Sequence, residues 1–457
     1  MISYSYVITL LLATVGAFII IGVLYSRGKI ETMDDFLTAR GSTGTNILSA
    51  TFLASFLGVF ILFTPPEAGA IGGLITIIGY AIGVASLYLA FLILSPRVKA
   101  YLPEGSTLND YALKRYGSKM YWLTVLLSIF YMFVHIVAEL TAIGMVAYQL
   151  AQVPLLYTAM IIGFGTMIYT AYGGLRASMF TDMIQMIMVV ILLIVVVIGI
   201  IYYGGGLGYI LDETTTNAAH LFDLKNRGGI EYGLTLCIGV FAANLFHQGY
   251  WQRIYAGKND AVLKKSLRIC ILIALPIMFI TGFIGIVAAG LNLAENPSVA
   301  LFSLVYSFFP KWLIIAVFIL AMMLVMSTVD TLLNAMVATF TLDGQRIFKK
   351  LKKESLLTFA RVMTIVLILP ATLIASKGYS VLYLFFVADL VCAGVFFPLF
   401  FGLFSSRCTE KIAIAAAILG VASGIPFFNQ GKLLISFVLP VITSAVICII
   451  GSMRGKA

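Results

Sequence analysis

The stretch MSTVDTLLNA, Met326 to Ala335, places polar side chains inside an apolar run that extends from Trp312 to Phe340. A polar group in hydrocarbon costs several kcal/mol unless a partner satisfies it, so polar clusters within membrane spans commonly line an ion or substrate path. The stretch therefore predicts a membrane-embedded helix that handles an ion. Its polar residues are Ser327, Thr328, Asp330, Thr331 and Asn334.

The composition of the whole chain predicts an all-α polytopic membrane protein. Of 457 residues, 61% are hydrophobic and only 11% are charged, and the mean hydropathy is +1.06. A soluble domain does not have this composition. Apolar runs of about 20 residues, enough to cross a bilayer, occur thirteen times. They cover residues 5–26, 46–68, 71–95, 121–151, 154–172, 177–203, 229–252, 266–292, 311–343, 357–375, 379–404, 411–428 and 433–453.

The distribution of basic residues predicts the orientation, because Lys and Arg in short loops mark the cytoplasmic side. With the N-terminus outside and the C-terminus in the cytoplasm, all but five of the 29 basic residues fall inside. We therefore expect a multi-pass protein of the plasma membrane, in contact with lipid. The net charge of +10 follows from this topology and indicates no nucleic-acid partner. The five basic residues outside are Lys225, Arg227, Lys311, Lys377 and Lys432.

The sequence lacks the motifs of ATP-driven pumps and of zinc proteases. It contains neither a GxxxxGK[ST] phosphate loop nor an HExxH motif, and His135, His220 and His247 are far apart. The five cysteines show no paired spacing that indicates a disulfide framework or a zinc site. We therefore expect no enzyme, no catalytic residues and no obligate protein partner.

Two spans at corresponding positions contain residues that break helices. The second span carries Gly58 and ends in Thr64-Pro65-Pro66, and the seventh carries Gly239 and the polar segment 244–249. Discontinuous helices at matching positions of two halves indicate a transporter binding site. Because five spans separate them, the chain permits two five-helix repeats of opposite topology. The predicted division is a leading helix and loop at 1–45, repeats at 46–203 and 229–404 around an extracellular loop at 204–228, and two trailing helices at 405–457.

Three segments carry a resemblance to the sodium:solute symporter family. TAYGGLRASMFTDMIQ, Thr170 to Gln185, resembles the loop and helix start of the family signature, and MSTVDTLLNA resembles its sodium-binding helix. YWQRIYAGK, Tyr250 to Lys258, is similar to a third family segment. The resemblance implies the inverted-repeat fold of the leucine transporter, with one leading and two trailing helices, and Na+ as the coupled ion.

The resemblance also implies a sodium site between the first and eighth helices of the ten-helix core. Carried onto this chain, Ser327 and Thr328 supply hydroxyl oxygens, and the main-chain carbonyls of Leu324, Ala54 and Leu57 complete the shell. These groups suit the ion, because a hard cation prefers oxygen ligands and a broken helix frees carbonyls.

Some family members are thought to hold a second sodium nearer the cytoplasm, and here that position reads Asp182, Ser327, Asp330 and Thr331. Asp330 departs from the family pattern, which shows Ser there. An added carboxylate strengthens cation binding or takes a proton in place of sodium. For Asp182 the alternatives are an interfacial cap or a partner of Arg176.

The solute is expected near the bilayer midplane, beside the two broken helices. His135 and Glu139 share one helix face and suit a proton relay or a solute contact, or they satisfy each other. Asp389 suits a cation or solute contact, or pairs structurally. The expected solute is a small polar organic molecule: an amino acid, urea, a sugar or a monocarboxylate. The candidate solute residues are Glu67, Asn244, His247, Gln248, His135, Glu139 and Asp389.

The function expected from these features is sodium-coupled solute uptake by alternating access. A membrane potential of 100 mV adds ~2.3 kcal/mol per translocated charge, enough for roughly fiftyfold accumulation with one sodium. A proton-coupled symporter of the same fold is the main alternative. A channel lacks a repeated pore motif here, and a transporter-like sensor would need a further domain beyond Ala457.

Overall fold

The computed structural model describes residues 2–27, 39–105, 107–347 and 353–454, and helices dominate them. The helix bounds are α1 Tyr4–Ser26, α2 Thr45–Phe56, α3 Thr64–Tyr101, α4 Leu108–Arg115, α5 Ser118–Ala151, α6 Leu155–Tyr203, α7 Leu207–Asn217, α8 Arg227–Asn244, α9 Gln248–Ala256, α10 Asp260–Gly290, α11 Ala300–Phe308, α12 Lys311–Ile347, α13 Lys353–Ala375, α14 Val381–Phe401, α15 Glu410–Asn429 and α16 Leu433–Arg454. The all-α prediction is confirmed.

Nine helices within the described ranges are long and apolar enough to cross a membrane. The pair α8 and α9, bent by 59° at its break, makes a tenth. Two reversals inside long helices raise this number to twelve, and α13, whose apolar part Ile365–Ala375 is shorter, occupies the position of the remaining predicted span. The basic residues Lys29, Lys349, Lys350, Lys352 and Lys456, which contribute to the predicted orientation, lie outside the described residues.

The helix α6 is two crossings joined at Gly174. As a straight helix its 49 residues would be roughly 70 Å long, more than twice the thickness of the hydrocarbon core. Gly174 has φ 55° and ψ −156°, which is not helical. Gly22 of α1 packs against Tyr169, and Tyr25, one turn later, stacks on Phe180 at 3.8 Å between ring centroids. In a straight helix Tyr169 and Phe180 would lie about 16 Å apart along the axis, so the chain reverses at Gly174.

The helix α3 reverses in the same way at Gly73, where φ is 72° and ψ is −161°. Thr64 Oγ1 and Tyr80 Oη are hydrogen bonded at 2.8 Å although they are 16 residues apart, a separation of about 24 Å in a straight helix. The residues before Gly73 therefore complete the second crossing, and those after it form the third.

The second and seventh crossings are broken, as the sequence predicts. After α2 ends at Phe56, a 3₁₀ turn covers Val59–Leu62 before α3 begins. The seventh crossing breaks between Asn244 and Gln248. Gly239, which the sequence analysis considered as a breaking residue, lies inside α8 and leaves that helix intact. The helical hydrogen-bond pattern is interrupted after Gly239, in the polar segment between Asn244 and Gln248.

The predicted extracellular loop at 204–228 contains structure of its own. It holds α7 and a 3₁₀ turn over Ala219–Phe222. Asn217 Nδ2 donates to the carbonyl oxygen of Gly290 at 3.0 Å, and the backbone of Leu221 covers Gly73, where an added Cβ would lie 2.2 Å from the Leu221 carbonyl oxygen. The segment therefore packs against the C-terminal end of α10 and against the turn at Gly73 in α3. The assignment of repeats and trailing helices to residue ranges stays a prediction.

We expect Gly73→Ala and Gly174→Ala to destabilise the protein by about 1–3 kcal/mol each, because both backbones occupy a region that is essentially restricted to glycine. The measurement is the unfolding midpoint of the purified protein in detergent. Gly16→Ala in α1 is the matched control, since an added Cβ there meets no atom within 4 Å. Equal midpoints for all three variants would contradict the assignment of these turns.

Candidate ion and solute site

The two helix breaks face one buried cavity of about 40 Å³. Its walls come from α2, α3, α5, α8, α9, α12 and α14, so the broken helices meet the polar helix α12 there. The lining is a mixture of rings and polar groups. The polar residues are Ser55, Tyr80, Tyr131, His135, Glu139, Asn244, His247, Tyr250, Thr328 and Asp389, and the apolar ones are Phe56, Phe60, Leu236, Val240, Leu382 and Phe385.

Ser327 brings α12 against the break in the second crossing. Its Oγ lies 3.1 Å from the carbonyl oxygen of Ala54. That carbonyl lacks the usual helical partner, because the Gly58 amide donates to Phe56 instead. Leu57 is the C-terminal cap of α2, with φ −80° and ψ 71°. The structure thus brings together a serine hydroxyl and the carbonyl end of a broken helix, which are ligands that sodium accepts.

Thr328 lies at the boundary between this oxygen cluster and the cavity. Its Oγ1 is buried without a hydrogen-bond partner within the described part of the chain, and it lies 2.8 Å from the position of a Cβ on Gly58. Leu324 lies one turn earlier on α12 and is buried. An unpaired hydroxyl inside a membrane protein is costly. Because Thr328 Oγ1 has no described partner, its lone pairs are free to bind an ion.

Glu139 places a carboxylate beside these oxygens. Its Oε2 accepts the amide of Val59 at 2.9 Å, which caps the 3₁₀ turn after the break. Its Oε1 lies 2.1 Å from where a Cβ on Gly58 would be, so any side chain at position 58 would displace the carboxylate. Gly58 is therefore needed for close approach rather than for an unusual φ, which is −73° here.

His135 and Glu139 do not satisfy each other, although they share a helix face. His135 Nδ1 lies 3.0 Å from the carbonyl oxygen of Tyr131 in its own helix. Its ring lies 4.6 Å from that of Phe385. His135 therefore takes part in an aromatic wall of the cavity, while Glu139 serves the helix break.

Asp182 pairs with Arg253 in the interior of the protein. Arg253 Nη2 donates to Asp182 Oδ2 at 2.8 Å, and neither side chain is exposed. Thr51 Oγ1 donates to the same oxygen at 2.5 Å, and Ser327 Oγ lies 2.8 Å from Asp182 Oδ1. Arg253 Nη2 also reaches Thr331 Oγ1 at 2.8 Å. One guanidinium thus connects α9 to α2, α6 and α12.

Asp330 lies next to this ion pair but takes hydroxyl partners. Ser178 Oγ donates to Oδ1 at 2.8 Å, and Tyr169 Oη donates to Oδ2 at 2.9 Å. Thr181 Oγ1 is 3.3 Å from the same oxygen. Within the described ranges Asp330 makes no ion pair at the 4 Å limit. The carboxylate is fully buried, and its described hydrogen bonds come from hydroxyls of α6 and from its neighbour Thr331.

The candidate solute residues divide into two groups. Five line the cavity: Asn244, His247, His135, Glu139 and Asp389. Asn244 is occupied, because its amide donates to Val240 and its Oδ1 accepts from Tyr131. His247 Nδ1 accepts the Gly249 amide, whereas its Nε2 is buried without a partner among the described atoms.

Glu67 and Gln248 lie outside the cavity lining. Glu67 accepts a hydrogen bond from Ser298 Oγ at 2.7 Å. Gln248 connects α9 to the start of α4 and to α5, because its Oε1 accepts the Leu108 amide at 2.9 Å and its Nε2 donates to Ser128 Oγ at 2.7 Å. Both side chains thus join neighbouring elements in this conformation.

The sequence model of the sodium:solute symporter family matches residues 36–420. The chain belongs to the sodium:solute symporter family. It is 28% identical over 392 residues to a spermidine transporter of Candida albicans, covering 85% of this chain and 73% of that protein. It is 24% identical over 397 residues to a sodium/glucose cotransporter of Vibrio parahaemolyticus, covering 76% and 72%.

The fold also matches a solved symporter. The structure superimposes on a substrate-bound, outward-open Na+-coupled sialic acid symporter with a TM-score of 0.79 and 18% identity, over 99% of this chain and 98% of that one. Together with the family match, this similarity confirms the predicted leucine-transporter-type fold. It is a multi-pass membrane protein, as its nine or more apolar helices require.

Sequence reasoning missed the partner of Asp182 in this symporter. The expected alternatives were an interfacial cap and a pair with Arg176, which lies six residues before Asp182 in the chain. A buried arginine such as Arg253 is rare unless it is paired, and the only sequence signal was its position close to the break in the seventh crossing. The contact itself joins residues 71 apart, so no local pattern indicates it.

We expect Asp182→Asn to lower the free energy of unfolding by about 3–5 kcal/mol, because it leaves the Arg253 guanidinium buried without its counter-charge. The double variant with Arg253→Gln should recover part of this loss. Chemical or thermal denaturation in detergent measures both. Lys99→Met, which breaks an exposed pair with Asp260, is the control and should cost less than about 1 kcal/mol. A loss no larger than that of the control would contradict the role of the pair.

Proposed function

We propose that this protein is a sodium-coupled symporter that carries a small polar organic solute into the cell across the plasma membrane. The observation that carries the proposal is the position of Thr328. Its unpaired hydroxyl lines the cavity between the broken helices and also lies beside the carbonyl end of α2. One residue therefore borders both the proposed ion site and the proposed solute site.

In the proposed mechanism sodium binds to oxygens from Ala54, Leu57, Leu324, Ser327 and Thr328. The ion thereby joins α2 to α12 and fixes the break that forms one wall of the cavity. A solute that contacts the fixed wall binds better with sodium present, and by linkage sodium binds better with the solute. Entry from outside requires the predicted orientation, with the N-terminus outside and the C-terminus in the cytoplasm.

Glu139 gives this mechanism a charge. Its carboxylate lies next to Gly58 and Thr328, so a cation bound to the Ser327 and Thr328 hydroxyls has a negative partner within the same low-dielectric space. Without the ion the partners described for the carboxylate are backbone amides at the start of the 3₁₀ turn, those of Val59 and Phe60. Sodium entry therefore improves the electrostatics of the helix break.

Proton coupling is the second candidate, and Asp330 is the observation that favours it. The Arg253 guanidinium already binds Asp182 and Thr331, two of the residues proposed for a second cation. In this arrangement Asp330 is the remaining carboxylate, and a proton would neutralise it without the space that a second sodium needs.

The names of the relatives, which refer to spermidine and glucose, support a small polar solute as the cargo. They differ too much in charge to choose one solute. The choice has to come from the chemistry of the cavity.

We expect Ser327→Ala and Thr328→Ala each to weaken sodium binding roughly ten- to hundredfold, because each removes an oxygen ligand. Sodium titrations of the unfolding midpoint, with potassium replacing sodium at constant ionic strength, measure this affinity. Thr339→Ala is the matched control, since Thr339 is a buried hydroxyl on the same helix that bonds back to Ala335. Unchanged sodium affinity in both site variants would refute the proposed ligands.

We expect uptake into proteoliposomes to follow an inward sodium gradient and to stay near baseline with an inward proton gradient alone. Asp330→Asn should then retain most of the sodium-driven uptake. Proton-driven uptake without sodium that Asp330→Asn abolishes would replace sodium by protons as the coupled ion. Tyr169→Phe, which removes one hydrogen bond to Asp330 and keeps the carboxylate, separates loss of charge from loss of packing.

A further inference from the structure

We propose that the solute is an organic cation, an ammonium compound whose charge is met by Asp389. The inference rests on the proposed function, since it names the class of solute for the same cavity. Four observations carry it: the isolation of Asp389, the lack of basic residues in the lining, the engagement of Glu139 elsewhere, and the rings that surround the cavity.

Asp389 is a buried carboxylate that has no partner in the part of the chain that the structure describes. It lies in α14 with 6% of its surface exposed and lines the cavity. Among the residues that the structure describes, no hydrogen bond or ion pair reaches it. Its Oδ2 would lie 2.9 Å from a Cβ on Gly239, so the glycine of α8 provides the space in which the carboxylate stands. An unpaired carboxylate in a membrane interior is costly, and such residues usually mark the path of a cargo.

The cavity offers negative charge and no positive charge. Neither lysine nor arginine is among its lining residues. Arg253 lies nearby but binds Asp182, Thr331, Thr51 and the carbonyl oxygen of Gly249. An anionic solute would therefore meet two carboxylates and no basic side chain in the described lining. This argues against the monocarboxylates considered from the sequence.

The two carboxylates have different surroundings. Glu139 accepts the Val59 amide and lies beside Thr328, where it serves the proposed sodium. Asp389 lies in α14 beside Gly239 of α8, and Tyr80 and Tyr131 are close enough to interact with it electrostatically. Each of the two bound cations, the sodium and the solute, therefore has its own carboxylate.

Aromatic rings complete a site for an ammonium group. The Phe60 and Phe385 rings lie 5.8 Å apart, edge to face, and His135 lies 4.6 Å from Phe385. Tyr131 in turn packs on His135 at 3.9 Å. Ring faces attract cations when the site is desolvated, and an ammonium group here would meet both the rings and the carboxylate of Asp389. Carboxylate and rings together favour a substituted ammonium ion over a neutral solute.

The test compares matched solutes on the purified full chain in detergent, in sodium and in potassium buffers. Choline is paired with dimethylbutanol, in which carbon replaces the charged nitrogen, and putrescine is paired with butanediol. Spermidine, glucose, urea, alanine and lactate complete the panel. Potassium rather than choline replaces sodium, because choline is itself an organic cation. Ligand titrations of the unfolding midpoint give the affinities.

Three variants accompany the wild type. Asp389→Asn keeps the shape of the side chain and removes its charge, Asp389→Glu keeps the charge, and Tyr383→Phe changes an exposed residue of the same helix. We expect at least one ammonium compound to stabilise the wild type in sodium while its neutral counterpart does not. Asp389→Asn should weaken that affinity roughly ten- to hundredfold, as expected for a lost charge-assisted hydrogen bond. Asp389→Glu should retain more of it, and Tyr383→Phe should leave it unchanged.

Stabilisation of Asp389→Asn by sodium shows that the variant is folded, so a lost solute response reports on the charge. Tighter binding of a neutral, zwitterionic or anionic solute than of every ammonium compound overturns the inference while the sodium-coupled function stands. So does sodium stabilisation without any response to ammonium compounds, or an ammonium affinity that Asp389→Asn leaves unchanged. If ammonium binding depends on Asp389 but sodium has no effect, the solute class stands and the proposed coupling fails.

Discussion

The structure depends on how two broken helices are satisfied inside a membrane. Lipid supplies no hydrogen bonds, so every backbone group that a break releases needs a partner within the protein. At the first break the amide of Val59 finds the carboxylate of Glu139, and the carbonyl of Ala54 finds the hydroxyl of Ser327. At the second, Asn244 and His247 bond to the adjoining backbone. These partners converge on one space, and the cavity lies between them.

A second constraint is the charge that the same interior holds. Arg253 compensates Asp182 and connects α9 to α2, α6 and α12, so it joins both broken crossings to the polar helix. Movement of α9 away from the other helices would separate Arg253 from Asp182. This separation is costly, because neither lipid nor the cavity can solvate the two charges. A change of conformation in this region therefore requires these contacts to be exchanged together, which is the behaviour expected of a two-state element.

Three further carboxyl groups lie in the same interior: Glu139, Asp389 and Asp330. Glu139 lies beside the oxygen cluster of the proposed sodium, Asp389 lines the cavity beside Gly239, and Asp330 is held by the hydroxyls of α6. Each is a carboxyl group in a medium that penalises its charged form. In the proposed mechanism sodium would neutralise Glu139 and the solute would neutralise Asp389, and Thr328, which borders both proposed sites, would link the two binding events.

The sequence by itself determined the all-α membrane class, the thirteen apolar runs and the positions of the two broken crossings, because hydrophobic length and clusters of Gly, Pro and polar residues are local properties of a chain. It also indicated the family and the polar face of α12. Only the tertiary structure decided which polar groups meet: Asp182 with Arg253, Glu139 with Val59 and Gly58, and Asp389 with none of the described residues. Those outcomes depend on contacts between residues distant in sequence. An unpaired carboxyl group is costly only when it is buried, and its burial exists only after the helices pack.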